Sequence, residues 1–191
     1  MAEKSYDVFI TTIGRNTLPR MLDSLINQLN TIDYLTIASD ANHGYVAQCV
    51  AERKFKCNVN HLINPVPLGF FGHGSRNKYQ NQLKGDYIMH ADDDDRYVVG
   101  AFNKIREICT QHTLYFFRFC YTDKGDLSWW HKDDTKIRGN IGTPCGVIPN
   151  IHNFPQWGNF YTGDGLFYEN LVKIIPHEYI DYVIYKTKNT K

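Results

Sequence analysis

The densest chemistry in the chain lies in "DYIMHADDDDRY", residues 86–97, where four carboxylates, Asp92 to Asp95, stand side by side after an apolar run. Adjacent carboxylates repel one another. They become tolerable when a hard divalent cation sits among them, and Mg²⁺ or Mn²⁺ takes oxygen ligands while keeping waters and bridging to phosphates. Aspartate is also a good turn and N-cap residue, so an acidic surface turn is the competing structural account. Position decides for metal: in an open parallel sheet, ligands bind beyond the carboxyl ends of the strands, and this run ends a strand. Two other strand ends carry polar groups suited to the same rim: Thr11-Thr12-Ile13-Gly14-Arg15, and Asp40.

The elements that must position these groups can be read from periodicity. "YDVFITTIG" (6–14) is a buried strand in its β-branched and aromatic content. Leu18, Met21, Leu22, Leu25, Ile26 and Leu29 recur at helical spacing over 17–29, with Asn16 or Thr17 as N-cap and Pro19 in the first turn. A strand at 33–40, a helix at 44–54 and a weaker strand at 57–64 follow. "PVPLGFFGHG" is a Pro/Gly loop. Then come a helix over 75–85, the strand "DYIMHA", a helix at 98–110 and the strand 113–122. Alternation of this kind predicts an α/β fold with a largely parallel sheet. After residue 122 the sequence is rich in turns and aromatics, and "YKTKNTK" reads as a frayed polar end.

With 191 residues, 42% hydrophobic and 14% aromatic, the chain fits one globular domain. Twenty-one basic and 20 acidic residues leave a net charge of +1, which gives no support for nucleic-acid binding. The five cysteines, Cys49, Cys57, Cys109, Cys120 and Cys145, include no C-x-x-C pair, which argues for reduced thiols and a cytoplasmic setting. No signal-peptide pattern opens the sequence, and no run is long enough for a membrane-spanning segment.

"YDVFITTIGRNTLPRMLDSLINQ", then Asp40, then "GSRNKYQNQLKGDYIMHADDDDRY" resembles the nucleotide-sugar half of family 2-like glycosyltransferases with the GT-A fold. The likeness covers residues 6–97 and extends more loosely to about 173. It implies a Rossmann-like, mostly parallel central sheet flanked by helices, with an irregular acceptor-side second half. On this reading 1–191 is a single domain, about 1–97 holding the donor and about 98–191 the acceptor, and it could be one of several tandem enzyme domains in a longer chain.

The resemblance also implies roles. Thr11, Thr12 and Arg15 match the loop that holds the nucleotide, with Asp40 near the base or ribose, and Arg76 matches a basic residue of the donor site. Asp92, Asp93 and Asp94 match the DXD motif, with Asp94 as the metal ligand for Mn²⁺ or Mg²⁺ and Asp92 on ribose, metal or metal-bound water. Asp95 matches an extra acidic residue, and His90 replaces an apolar one. The base that deprotonates the acceptor hydroxyl falls at Asp164 in "YTGDGLFYENLV", with Glu169 in reserve. A helix N-cap is the competing account of Asp164. "GTPCGVIPN" (142–150) matches the segment lining the donor sugar. Some GT-A enzymes bring a late histidine to the metal; of His131, His152 and His177, His152 is the first choice. Trp129, Trp130 and Trp157 are candidates for stacking on an acceptor sugar, against ordinary core packing.

The activity implied is metal-dependent transfer from a nucleotide-diphosphate sugar, a UDP-sugar foremost, to a carbohydrate or other hydroxyl acceptor, with inversion. Two rivals remain. A sugar nucleotidyltransferase would want a more glycine-rich loop than "TTIGRNTL" after its first strand. A non-catalytic carbohydrate-binding module would show no turnover. A glycoside hydrolase needs two separated carboxylates rather than a contiguous run.

Overall fold

The computed structural model describes residues 3–121 and 137–187. Strands β1 (Tyr6–Thr12), β2 (Tyr34–Ser39), β3 (Asn58–Ile63) and β4 (Tyr87–Asp92) pair in parallel in the order β3-β2-β1-β4. Every residue of β1 is buried, as its apolar composition requires, because helices cover both faces of a parallel sheet. Three helices follow these strands: α1 (Leu18–Leu25), α2 (His43–Ala51) and α3 (His73–Tyr79). α1 turns Leu18, Met21, Leu22 and Leu25 inward, the stripe that the sequence spacing predicts. Thr17 occupies its N-cap position but its side chain makes no capping bond.

Beyond β4 the sheet becomes mixed and curls. β7 (Gly146–Pro149) runs antiparallel to both β4 and β6 (Leu114–Tyr121), β6 pairs in parallel with β8 (His177–Thr187), and the two-residue β5 (Arg96–Tyr97) closes the edge against β8. Helices α4 (Ala101–Ile108) and α5 (Gly163–Leu171) complete the layers. One core joins both halves, from Phe9 and Ile10 on β1 to Phe116 on β6 and Phe167 on α5.

Two sequence expectations are corrected here. The helix expected over 75–85 starts earlier and ends at Tyr79, followed by a 3₁₀ turn at Gln80–Gln82 and extended backbone at Leu83. The end read as frayed contributes Tyr185 to Thr187 to β8, and Tyr185 is fully buried there. The five cysteines are free and buried. No helix among the described residues is long and apolar enough to cross a membrane.

Candidate functional site

The carboxyl ends of β1, β2 and β4 open into a cleft of about 810 Å³. Parallel pairing in register sets Thr11 beside Asp92 across β1 and β4, and Thr12 beside Ser39 across β1 and β2. Thr11, Thr12, Arg15, Asp40, Asp92, Asp93 and Asp94 all line this cleft. Asp164, from the first turn of α5, lines the opposite wall with Gly142 and Thr143. Two stretches that are far apart in sequence thus share one cavity of a size suited to a small ligand.

The four aspartates have separate environments. Asp93 is buried, and both its oxygens are engaged: Thr12 Oγ1 donates to Oδ2, and Arg15 Nη1 donates to Oδ1 at 2.9 Å. Burial pushes its carboxyl above the usual range, against the pull of Thr12 and Arg15. Asp94 meets the same Arg15 nitrogen at 3.2 Å through Oδ2, while its backbone carbonyl accepts from Arg20. Asp92 Oδ1 accepts a hydrogen bond from Arg76 Nη2 at 2.6 Å. Asp95 is buried as β4 hands over to β5. Among the described residues, Asp92 Oδ2 and Asp94 Oδ1 take no protein hydrogen bond, and these two side chains are 32% and 23% exposed.

That donor set bears on the metal. No group of three His, Cys, Asp or Glu among the described residues is placed to hold an ion by itself. Two part-exposed carboxylates with free oxygens fit instead a small cation that draws its remaining ligands from phosphate and water. Asp93, buried with a donor already on each oxygen, is less well placed for that role.

Arg76 differs from its expected placement. It does not line the cleft: its side chain is fully buried beneath Asp92, with Nη1 donating to the Phe71 carbonyl at 3.0 Å and the guanidinium 4.9 Å from the centre of the Trp157 ring. It fixes Asp92 from behind. Asp40 faces the cleft with its carboxylate already engaged by Asn64, Ser75 and the backbone N–H groups of Leu68 and Gly69. It holds the Pro/Gly loop against β2.

His152 is not at this site. It is exposed in a separate cleft of about 440 Å³ at the other end of the sheet, with Lys4, Asp86 and His112, because β7 runs antiparallel to β4 and carries the chain away from the aspartates. His177 starts β8 and packs on Phe116 and Tyr179, and His131 lies outside the described residues. Trp157 is core: it stacks on Phe167 at 4.2 Å and donates Nε1–H to Gln80. Trp129 and Trp130 lie outside the described residues. Glu169 pairs with Arg138 and does not line the cleft.

Asp164 keeps its carboxylate toward the cleft while Oδ1 accepts the N–H of Gly165 at 2.8 Å. Burial pushes its carboxyl above the usual range, and the nearby negative charge of Asp92 adds to the rise.

Two supporting groups went unread in the sequence, and His90, which was noted there, takes no part in the cleft. Tyr185 Oη, from β8, accepts the Asp92 N–H at 3.1 Å and pins the end of β4. Gly72, at φ 83°, lets the loop touch β1: a Cβ there would lie 2.1 Å from Thr11 Oγ1. His90 is fully buried against Trp157 and Phe167, neither ring nitrogen has a hydrogen-bond partner among the described residues, and burial holds its pKa well below the ordinary value, so it is a neutral core residue.

No protein-family model matches the chain, and no curated protein matches it in sequence. Solved structures do. Residues 1–349 of S. aureus TarS share the fold with a TM-score of 0.77 at 14% identity, over 96% of this chain and 60% of that one. The same protein in complex with UDP-GlcNAc gives 0.72 at 12% identity over 98% and 59%, and in complex with UDP 0.75 at 14% over 97% and 60%. The chain therefore spans about 60% of the length of these structures, and the likeness is one of fold.

Proposed function

We propose that this chain is a glycosyltransferase that takes a sugar from a nucleotide-diphosphate donor, a UDP-sugar foremost, and passes it to a carbohydrate hydroxyl with inversion. The observation that carries the reading is the meeting, in one cleft at the strand ends, of a nucleotide-side rim (Thr11, Thr12, Arg15, Asp92, Asp94) with a half-buried carboxylate of raised pKa, Asp164. The fold shared with a protein solved with UDP and UDP-GlcNAc supports the choice of donor. Residues 1–191 act as a single catalytic domain in this proposal.

The chain's own residues divide the work. Thr11 and Thr12 close the nucleotide side. Arg15, with a side chain 46% exposed, can turn from Asp94 to the diphosphate and offset charge as the leaving group departs. Asp94 and Asp92 would hold Mn²⁺ or Mg²⁺, which when bound supplies Lewis-acid stabilisation of that diphosphate. Arg76 and Tyr185 keep Asp92 at the end of β4. Asp164 takes the proton of the acceptor hydroxyl as that oxygen attacks the anomeric carbon, and the sugar–phosphate bond breaks on the opposite face. A carboxylate with a raised pKa is a stronger base than an ordinary one, which suits this role.

Calorimetric titration of UDP and GDP with and without Mn²⁺, on the wild type and on Asp94→Ala, tests the proposal. Metal-enhanced UDP binding that Asp94→Ala removes is the expected result. Absence of nucleotide binding in either metal state would refute it.

A further inference from the structure

The loop between β3 and α3 carries an unusual backbone. Gly69, Phe70, Phe71 and Gly72 have φ of 64°, 53°, 56° and 83°, four positive values in a row. Glycine accepts this conformation, but a phenylalanine crowds its own Cβ against the backbone there. The turn is held from below on three sides: Asp40 accepts the Gly69 N–H, Arg76 donates to the Phe71 carbonyl, and Gly72 lies against Thr11. Strain maintained by this much surrounding structure points to function rather than to packing.

The consequence of the strain is outward aromatic rings. Phe70 is 52% exposed and Phe71 66%. Facing Phe71 across the cleft mouth is Tyr161, 80% exposed, its ring centroid 5.7 Å away at an interplanar angle of 78°. Phe71 and Tyr161 both line the cleft, and Tyr161 lies three residues before Asp164 in the chain. An aromatic corner thus opens in the cleft that also holds the proposed base, and Asn140 and Thr162 line the same cleft.

We infer that Phe71 and Tyr161 form the acceptor subsite and take a pyranose ring of a carbohydrate, its C–H face stacked on the aromatic rings and its hydroxyls directed to Asn140, Thr162 and Asp164. The chemistry selects this ligand. A pyranose presents an apolar C–H face and a polar rim, and the corner offers rings flanked by hydrogen-bonding groups. An acyl chain would want a longer apolar surface than two rings interrupted by polar side chains. The inference rests on the transferase reading and assigns the residues that hold its carbohydrate acceptor.

The test is saturation-transfer difference NMR with methyl D-gluco-, D-galacto-, D-manno- and L-fucopyranosides, in the presence of UDP and Mn²⁺, on wild type, Phe71→Ala, Tyr161→Ala and Tyr161→Phe. At least one glycoside should receive saturation at its C–H face. Its affinity should fall about five-fold in each alanine variant and be kept by Tyr161→Phe, in line with the worth of an aromatic contact, while UDP affinity is unchanged. UDP binding with no glycoside signal, or with a signal indifferent to both alanines, would overturn the inference and leave the transferase reading standing. Failure of UDP itself to bind would remove that reading and the acceptor subsite with it.

Discussion

Replacing Arg76 by methionine tests whether a residue outside the cleft governs it. Arg76 is fully buried and donates to Asp92 Oδ1 and to the carbonyls of Phe71 and Ala91. Methionine fills similar length beside Trp157 but donates nothing. Removing one partner of a fully buried ion pair costs about 3–5 kcal/mol. Asp92 is still 32% exposed, so water recovers part of that loss, and we expect a destabilisation of about 2–3 kcal/mol. With about 2 kcal/mol per molar urea for a domain of this size, the unfolding midpoint should fall by about 1–1.5 M. Trp157 reports the transition by fluorescence, since its ring centre lies 4.9 Å from the guanidinium. An unanchored Asp92 should also weaken metal-dependent UDP binding by about ten-fold, or about 1.4 kcal/mol. Arg76→Lys keeps the charge without the fork and should fall between the two. A methionine variant that unfolds within about 0.3 M of wild type and binds UDP equally well would show that the buried arginine does not hold the site.

Asp164→Asn should lower turnover by about 10²–10⁴-fold, the usual worth of a general base, with UDP affinity unchanged in calorimetry. Because the folded protein raises the Asp164 pKa, the acid limb of kcat/KM should lie above the ordinary carboxylate value of about 4 and be missing from the residual activity of Asp164→Asn. The same shift carries a stability sign. A carboxylate with a raised folded pKa binds its proton more tightly folded than unfolded, so stability from protonation is present at low pH and lost as pH rises through the folded value. Asp164→Asn should therefore melt higher than wild type at pH 7 and no higher at pH 3, read by differential scanning calorimetry. Tyr185→Phe removes the acceptor of the Asp92 N–H and should cost about 1 kcal/mol in urea unfolding.

Much of the first half of the fold was legible because β1, β2 and β4 are almost wholly buried and α1 shows one apolar stripe, whereas β3 is exposed or half-buried along its length. β1 and α1 announce themselves in "YDVFITT" and in the Leu18–Met21–Leu22–Leu25 spacing. β8 was not legible: only Ile184 and Tyr185 of its eleven residues are buried, the others follow no two-residue alternation, and "HEYIDYVIYKT" gains its strand identity from pairing with β6, with a register shift that sequence cannot show. The cleft residues Thr12, Arg15, Asp92, Asp94 and Asp164 could be read as polar groups at strand or helix ends, and the fold brings them together. Asp40 was placed on the rim in the same way and does line the cleft, but only tertiary contacts reveal that four donors engage it and that Arg76 is sealed under Asp92. His152 failed for a topological reason: the direction of β7 decides which end of the sheet it reaches.

The charges at the aspartate run also set an order of binding. Arg15 bridges Asp93 and Asp94 through one nitrogen, and Arg76 holds Asp92, so the carboxylates that would repel one another are already offset by two guanidinium groups. A divalent cation arriving alone would have to enter beside Arg15 and draw Asp94 away from it, two positive charges meeting across a few ångströms. A diphosphate arriving with the cation gives Arg15 a new anionic partner on the same side of the cleft, and its half-exposed side chain has room to make that change. Nucleotide and metal should therefore bind with positive coupling, of the order of 1–3 kcal/mol or about 5–150-fold. The coupling is reciprocal, so Mn²⁺ affinity measured by electron paramagnetic resonance should rise with UDP by the same factor that Mn²⁺ raises UDP affinity in calorimetry. Arg15→Gln frees Asp94 and removes the diphosphate's cationic partner, so Mn²⁺ alone should bind it more tightly than it binds wild type, and the coupling should shrink. Equal Mn²⁺ affinity in wild type and Arg15→Gln, with coupling intact, would refute this account of the aspartates and assign Arg15 to packing alone.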